Sequence, residues 1–301
     1  MELGFIGLGR MGSNMVQRLC QGNHSIVVYD RSPEAIKKAE KFGAIGASSL
    51  GEMVKRLPPP RVIWVMVPSG LPVEDTILSL MPLLQTGDTV IDGGNSNYQD
   101  SIRHAVLLRE RGIHFLDVGT SGGIWGLTEG YSLMIGGEAV VVQRLRQLFE
   151  TLAPAPEKGW GHVGPNGAGH FVKMVHNGIE YGLMQAYAEG FAIMKAKKEF
   201  ELDLHAIAGI WQSGSVVRSW LLDLTKGILS QDQDLKRMKS WVEDSGEGRW
   251  TVKEAIDLNV SAPVITESLL RRLRSREEDP FTDKLLAAMR QAFGGHAIKG
   301  E

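Results

Sequence analysis

Leu3-Gly4-Phe5-Ile6-Gly7-Leu8-Gly9-Arg10-Met11-Gly12 decides the fold. Its apolar run is too short for a helix, suits a buried strand, and passes straight into G-x-G-x-x-G. A helical pattern follows, then a second apolar run, Ser25–Tyr29, which ends on Asp30. Strand, glycine turn, helix, strand and terminal acid, in that order, predict a dinucleotide-binding unit; an ordinary tight βα turn is the bland alternative. Gly7, Leu8, Gly9, Arg10, Met11 and Gly12 are expected to let the backbone approach a pyrophosphate, with the helix N-terminus supplying free N–H groups. Asp30 is expected to accept hydrogen bonds from the adenosine ribose and to repel a 2′-phosphate, which favours NAD. The neighbouring Arg31 could hold that phosphate if Asp30 turned away, so NADP stays possible.

Outward from this unit, short β-rich runs alternate with helical stretches as far as about Gly164. Strands are expected at Leu3–Ile6, Ser25–Tyr29, Arg61–Val67, Thr89–Ile91, His114–Leu116 and Ser132–Ile135. Helices are expected between them, for example at Pro33–Phe42, Val73–Leu84 and Gln99–Arg111. That alternation predicts a Rossmann-like α/β domain, a mostly parallel sheet with helices on both faces. Beyond Gly167 the strand signals fade, and an all-α domain is expected to the end. The predicted division is 1–165 and 166–301, with the break near Gly161-His162-Val163-Gly164-Pro165-Asn166. No repeat of fixed period interrupts this pattern.

Three further loops fall where open α/β sheets bind ligands. Val65-Met66-Val67-Pro68-Ser69-Gly70 runs from a strand into a turn, with Val67 and Pro68 candidates to line the cofactor. Asp92-Gly93-Gly94-Asn95-Ser96 presents Asn95, expected near the nicotinamide and so a candidate to bind the cofactor as well, as an orienting polar group, although Asn is also a common turn former. From Gly119 to Gly137 there are seven glycines in nineteen residues. Exposed backbone N–H groups there, around Ser121, Gly122 and Gly123, would make an anion nest; a surface linker is the alternative.

A long helix is expected from Gly167 to about Lys198. Lys173, His176, Asn177, Glu180 and Tyr181 lie at i, i+3, i+4, i+7 and i+8, which puts five functional side chains on one stripe. Apolar residues fill much of the remaining circumference, so the helix is expected to be buried and its amine and carboxyl to need partners or a wet cavity. Lys173 and Glu180 stand two turns apart, roughly 10 Å along the axis.

The chain has 301 residues, 43% hydrophobic and 23% charged, enough for two domains with real cores. Net charge is -2 with dispersed basic residues, which points away from nucleic acid and membrane surfaces. The run Arg271-Arg272-Leu273-Arg274-Ser275-Arg276 is followed at once by acids and reads as a solvated helix face from which one Arg could turn inward. Cys20 is the single cysteine, so no intrachain disulfide is expected and the cytoplasm is the natural location. No leader is expected before the first strand, no apolar run reaches membrane-spanning length, and no metal site is expected.

Together the glycine fingerprint, the Ser-Gly-Gly loop and the Lys-x-x-x-Asn of the long helix resemble the β-hydroxyacid dehydrogenase superfamily. Within it, Asp92-Gly93-Gly94-Asn95-Ser96 and Lys173-Met174-Val175-His176-Asn177-Gly178-Ile179-Glu180-Tyr181 resemble the substrate loop and catalytic helix of the decarboxylating 6-phosphogluconate dehydrogenases. Gly246-Glu247-Gly248-Arg249-Trp250-Thr251 resembles a phosphate-binding segment of that family in part, with Ser245 and Glu247 where longer members carry Lys and Thr. Arg290-Gln291-Ala292-Phe293-Gly294-Gly295-His296 resembles the family's tail, which reaches a neighbouring subunit's site.

The resemblance implies a short form of the family that converts a phosphorylated sugar acid, 6-phosphogluconate, to ribulose 5-phosphate and CO2 with NAD. It implies Lys173 as base, then acid; Glu180 as the acid toward C1; His176 and Asn177 as orienting groups; and Asn95, Ser121, Gly122 and Gly123 on the substrate. It further implies Tyr181, Arg272, Arg290 and His296 on the phosphate, in a homodimer or higher homo-oligomer. A free Lys titrates at about 10.4, so a basic Lys173 requires burial or a nearby positive charge. The alternatives are a hydroxyisobutyrate-type dehydrogenase that does not decarboxylate, and a catalytically silent NAD-binding protein on the same fold.

Overall fold

Eight strands, β1 (Glu2–Ile6), β2 (Ser25–Tyr29), β3 (Ile45–Gly46), β4 (Val62–Val65), β5 (Thr89–Asp92), β6 (His114–Ser121), β7 (Ser132–Gly137) and β8 (Trp160–Gly164), form one sheet. Their order is β3-β2-β1-β4-β5-β6-β7-β8, and every neighbouring pair is parallel except β6 with β7. The structure, a computed structural model, describes residues 1–294. The strand order reverses between β1 and β4, which opens a crevice at their carboxyl ends.

Side chains alternate across the sheet and feed two apolar layers. Phe5, Trp64, Leu116 and Ile135 enter one layer with Met15 and Phe149, while Ile6, Ile63, Val65 and Val90 enter the other with Met53 and Ile77. Burying a side chain such as Ile63 contributes about 1.5–3 kcal/mol. Phe5 and Trp64 stack with ring centroids 6.1 Å apart. The Trp64 indole also explains Gly93: a Cβ there would lie 2.2 Å from Trp64 Nε1.

The α/β expectation holds, with three local differences. The edge strand Ile45–Gly46 was not expected, because two residues carry no periodicity. The supposed break holds a strand, Trp160–Gly164, which pairs with β7 despite its two glycines. Much of the supposed glycine loop is strand: Gly119, Thr120 and Ser121 complete β6, and only then do Gly122 and Gly123 turn with φ +137° and +52°.

Two compact units divide the chain after Asn177, inside the long helix Ala168–Ala196. The first turns of that helix therefore belong with the sheet. The second unit is helical among the described residues: Leu204–Trp211, Trp220–Gln231, Glu247–Asp257, Pro263–Arg274 and Phe281–Gly294. Asp203 and Ser219 cap the first two, accepting from Ala206 N and Leu222 N. Its core is small, built on Phe191, Leu204, Ala208, Leu222 and Leu229. The expectation of a buried long helix is corrected here: Val172, Ile179, Leu183, Met184 and Ile193 are exposed. Apolarity around a helix does not by itself bury every face, and among the described residues these side chains stay exposed. No helix among the described residues is long and apolar enough to cross a membrane.

Candidate active site

In the first unit, the turn after β1 is shaped by contacts that only glycine permits. Gly7 has φ +94°, and a Cβ there would sit 2.3 Å from Met66 O. A Cβ on Gly12 would lie 2.1 Å from Gly7 O, whereas one on Gly9 would meet nothing. Two glycines thus let strand, turn and helix close up, and the third leaves an open face where a ligand can approach. Leu8 is buried and Arg10 is exposed.

Asp30 stands at the rim of this turn. Its Oδ2 accepts from Leu8 N at 2.6 Å and its Oδ1 from Ser32 N at 2.8 Å. These bonds fix the carboxylate, and each oxygen keeps a second lone pair. A cleft of about 520 Å³ is lined by Gly7, Gly9, Asp30, Arg31, Val67 and Pro68, among others. A smaller pocket of about 170 Å³ is lined by Met11, Val67, Pro68, Asn95 and Thr120, among others. Open space at Gly9, free helix N–H groups and a fixed acid at the ribose position fit a dinucleotide.

Asn95 is exposed on a loop whose shape is set from beneath. Asp92 is fully buried and accepts from Gly94 N at 3.1 Å and from Ser96 Oγ at 2.6 Å. Ser121 and Gly122 follow at the carboxyl end of β6, the strand paired with β5.

Lys173 and Asn177 are buried, at 6% and 7% exposure. Lys173 Nζ donates to Asn177 Oδ1, and the same oxygen lies 3.1 Å from His176 Nδ1. A buried amine needs such an acceptor, and the one-turn spacing delivers it. The helix meets β6 at Gly119, where a Cβ would fall 2.3 Å from Lys173 Cβ. The first unit therefore gathers a Lys, an Asn and a His beside the strand that leads to Ser121.

In the second unit, Tyr181 is buried, and its hydroxyl lies 3.5 Å from Ser245 Oγ and accepts from Ser245 N at 3.3 Å. The Arg272 guanidinium lies over the Tyr181 ring, 3.4 Å from its centroid, and donates to Glu243 O. Of the basic run, Arg272 is the residue that turns onto this aromatic face. Asp244 binds both Arg249 and Arg276, and the Arg249 guanidinium beside it holds its carboxyl below the usual range, with Arg276 adding to the effect. Arg290 is exposed on the helix Phe281–Gly294, and His296 lies outside the described residues.

Sequence reasoning missed the supports. Asp117, fully buried in β6, accepts from Gly167 N and His170 N at the start of the long helix. Ser101 Oγ lies 2.7 Å from His170 Nδ1. An acid inside the apolar run Phe115-Leu116-Asp117-Val118 was the available signal.

Comparison with known proteins shows the family. The family model described as the NAD binding domain of 6-phosphogluconate dehydrogenase matches residues 2–164, and that described as the 6-phosphogluconate dehydrogenase C-terminal domain matches residues 169–283. The chain is 44% identical over 299 residues to the putative 6-phosphogluconate dehydrogenase YqeC of Bacillus subtilis, covering 99% of both. It is 42% identical to the NAD(+)-dependent, decarboxylating 6-phosphogluconate dehydrogenase of Haloferax volcanii, covering 99% of this chain and 98% of that one. The solved structure of Plasmodium falciparum 6-phosphogluconate dehydrogenase aligns with TM-score 0.84 at 28% identity, over 100% of this chain and 66% of that longer one. A 3-hydroxyisobutyrate dehydrogenase of Mycobacterium tuberculosis aligns with TM-score 0.72 at 20% identity, a likeness of fold alone.

Proposed function

The chain belongs to the 6-phosphogluconate dehydrogenase family, and from that premise we propose that it oxidises and decarboxylates 6-phosphogluconate to ribulose 5-phosphate and CO2 with NAD. The observation that carries this reading is the cluster of buried Lys173 and Asn177 with half-buried His176, set beside the strand that ends at Ser121. Residues 1–165 serve the dinucleotide, and 166–301 serve the substrate and assembly. Bound at the Gly7–Gly12 turn, NAD supplies the hydride acceptor.

Lys173 takes the proton of the substrate's C3 hydroxyl while the C3 hydrogen leaves as hydride. Asn177 Oδ1 aims the amine, and His176 steadies the same oxygen. The product is a β-keto acid, so breaking the carbon–carboxylate bond sends its electron pair toward the carbonyl. Lys173, now an ammonium, returns its proton to that oxygen, and the enediol forms as CO2 leaves. Glu180 then protonates C1. Ser121, Gly122 and Gly123 hold the carboxylate end, and Asn95 orients substrate and cofactor. Tyr181 and Arg272 hold the phosphate, joined by Arg290 and His296 from a second copy's tail. The exposed apolar stripe of the long helix and the exposed Phe281, Leu285, Leu286 and Met289 support a homodimer or higher homo-oligomer. The single cysteine supports a cytoplasmic setting.

Asp30 faces the cleft with both oxygens held by backbone N–H groups, so a 2′-phosphate would meet a fixed negative charge despite Arg31. Assayed with 6-phosphogluconate and each cofactor, kcat/KM is expected to favour NAD by about tenfold or more, ~1.4 kcal/mol. CO2 is expected in step with reduced nucleotide. Nucleotide reduction without CO2 would assign the chain to the hydroxyisobutyrate-type chemistry, and no reduction at all to the silent alternative. Glu180→Gln should slow ribulose 5-phosphate formation roughly 10²-fold or more at unchanged NAD affinity. An unchanged rate removes Glu180 as the acid.

A further inference from the structure

We propose that Asp117 is a positioning residue for the reaction: its buried carboxylate holds the first turn of the long helix and so sets where Lys173 presents its amine. The helix begins at Ala168, and the residue before it, Gly167, has no side chain with which to cap the free N–H groups of the first turn. Asp117 supplies the missing cap from the sheet. Its Oδ1 accepts from Gly167 N at 2.7 Å and its Oδ2 from His170 N at 3.0 Å. The carboxylate thus meets both the orphan donors and the positive end of the helix dipole.

Period-two alternation puts Asp117 and Gly119 on the same face of β6. The structure uses both against one helix: Asp117 grips its start, and Gly119 lies under Lys173, one turn further on. No slack remains between them. A Cβ on Gly169 would fall 2.3 Å from Asp117 O and 2.5 Å from Met134 O, and one on Gly136 would fall 2.6 Å from Asp117 Oδ1. The helix is therefore inset in the sheet, and its rotation and rise are fixed by Asp117 at one end of the contact.

A second bond ties the same turn to the substrate loop. His170 Nδ1 lies 2.7 Å from Ser101 Oγ, both buried, on the helix Tyr98–Arg109 that follows Asn95. Tyr98 packs edge-on against Phe171 with centroids 5.3 Å apart. The loop bearing Asn95 and the helix bearing Lys173 are thereby joined through positions 98, 101, 170 and 171, and Asp117 anchors the joined pair to β6. Misplacing a reacting group by about 1 Å costs roughly 10²-fold in rate, so a small shift of this turn should be read in kcat.

Asp117→Asn keeps the shape, but its Nδ2 faces a backbone N–H, so one bond is lost along with the charge. The expected result is a kcat lower by roughly 10- to 100-fold, with KM for NAD and for 6-phosphogluconate each within about threefold of the starting value. Ser101→Ala should lower kcat in the same direction by a smaller factor, again at nearly constant KM. A folded Asp117→Asn with kcat within about twofold of the starting enzyme overturns the proposal, as does a loss of NAD binding parallel to the loss of kcat. If Asp117→Asn does not fold, Ser101→Ala decides: a lowered kcat at constant KM upholds the proposal, and an unchanged kcat overturns it. The proposal rests on Lys173 being the base. Full turnover by Lys173→Met would sink that reading, whereas the Asp117 and Ser101 variants test the positioning alone.

Discussion

Lys173→Met is expected to lower kcat for 6-phosphogluconate oxidation by roughly 10²- to 10⁴-fold, the range of a general acid–base contribution, and to leave the Kd for NAD within about twofold. Met keeps most of the buried aliphatic volume, so loss of the amine is separated from a packing void. NAD affinity should hold because the dinucleotide cleft is lined by the turn after β1, Asp30 and the loop at Val67 and Pro68, all in other segments. The lesion should appear in kcat and kcat/KM together, as expected for an interaction made in the transition state. Turnover within about tenfold of the starting enzyme would remove Lys173 as the base. Asn177 supports the assignment from the structural side: its Oδ1 accepts from the amine inside a site that water hardly reaches.

Gly119→Ala should disable the enzyme without changing any residue that does chemistry. A Cβ at this position would stand 2.3 Å from Lys173 Cβ and 2.6 Å from Gly169 O, so it strikes a helix backbone that cannot rotate aside. Overpacking of this kind costs about 1–3 kcal/mol of stability, and the helix can relieve it only by moving off the sheet. Such a move displaces Lys173 from the substrate edge, and kcat should fall roughly 10²-fold. Thermal unfolding and steady-state kinetics on one preparation check both effects. Unchanged stability and unchanged kcat would mean that the helix seats more loosely on β6 than its contacts imply. Asp117→Asn lets the same helix shift at its start, so the two variants should share a low kcat at nearly constant KM.

The nucleotide half was legible because its signals are local. G-x-G-x-x-G follows a strand by necessity of the turn, and Asp30 closes the next strand, so spacing alone names the residues. The stripe from Lys173 to Tyr181 was legible for the same reason, since helical period converts sequence separation into a shared face. Ile45–Gly46 and Trp160–Gly164 were not legible: what makes them strands is a neighbour already in place, β2 in one case and β7 in the other. Period likewise gave no warning that Gly119 belongs to a strand. Its lack of a side chain is explained by Lys173, more than fifty residues away in the chain.

By itself, then, the sequence determined the α/β unit, the turn that receives a dinucleotide, the helical remainder and the polar stripe on the long helix. Each depends on propensity and period within a short window. Only the tertiary structure decided that Asp30 is fixed by two backbone N–H groups, that Asn177 receives the Lys173 amine in a buried site, and that Asp117 caps the helix which carries it. Those facts depend on where distant backbone donors come to rest once the sheet has assembled. A buried carboxylate is costly until such donors surround it, and no local pattern in the chain announces them.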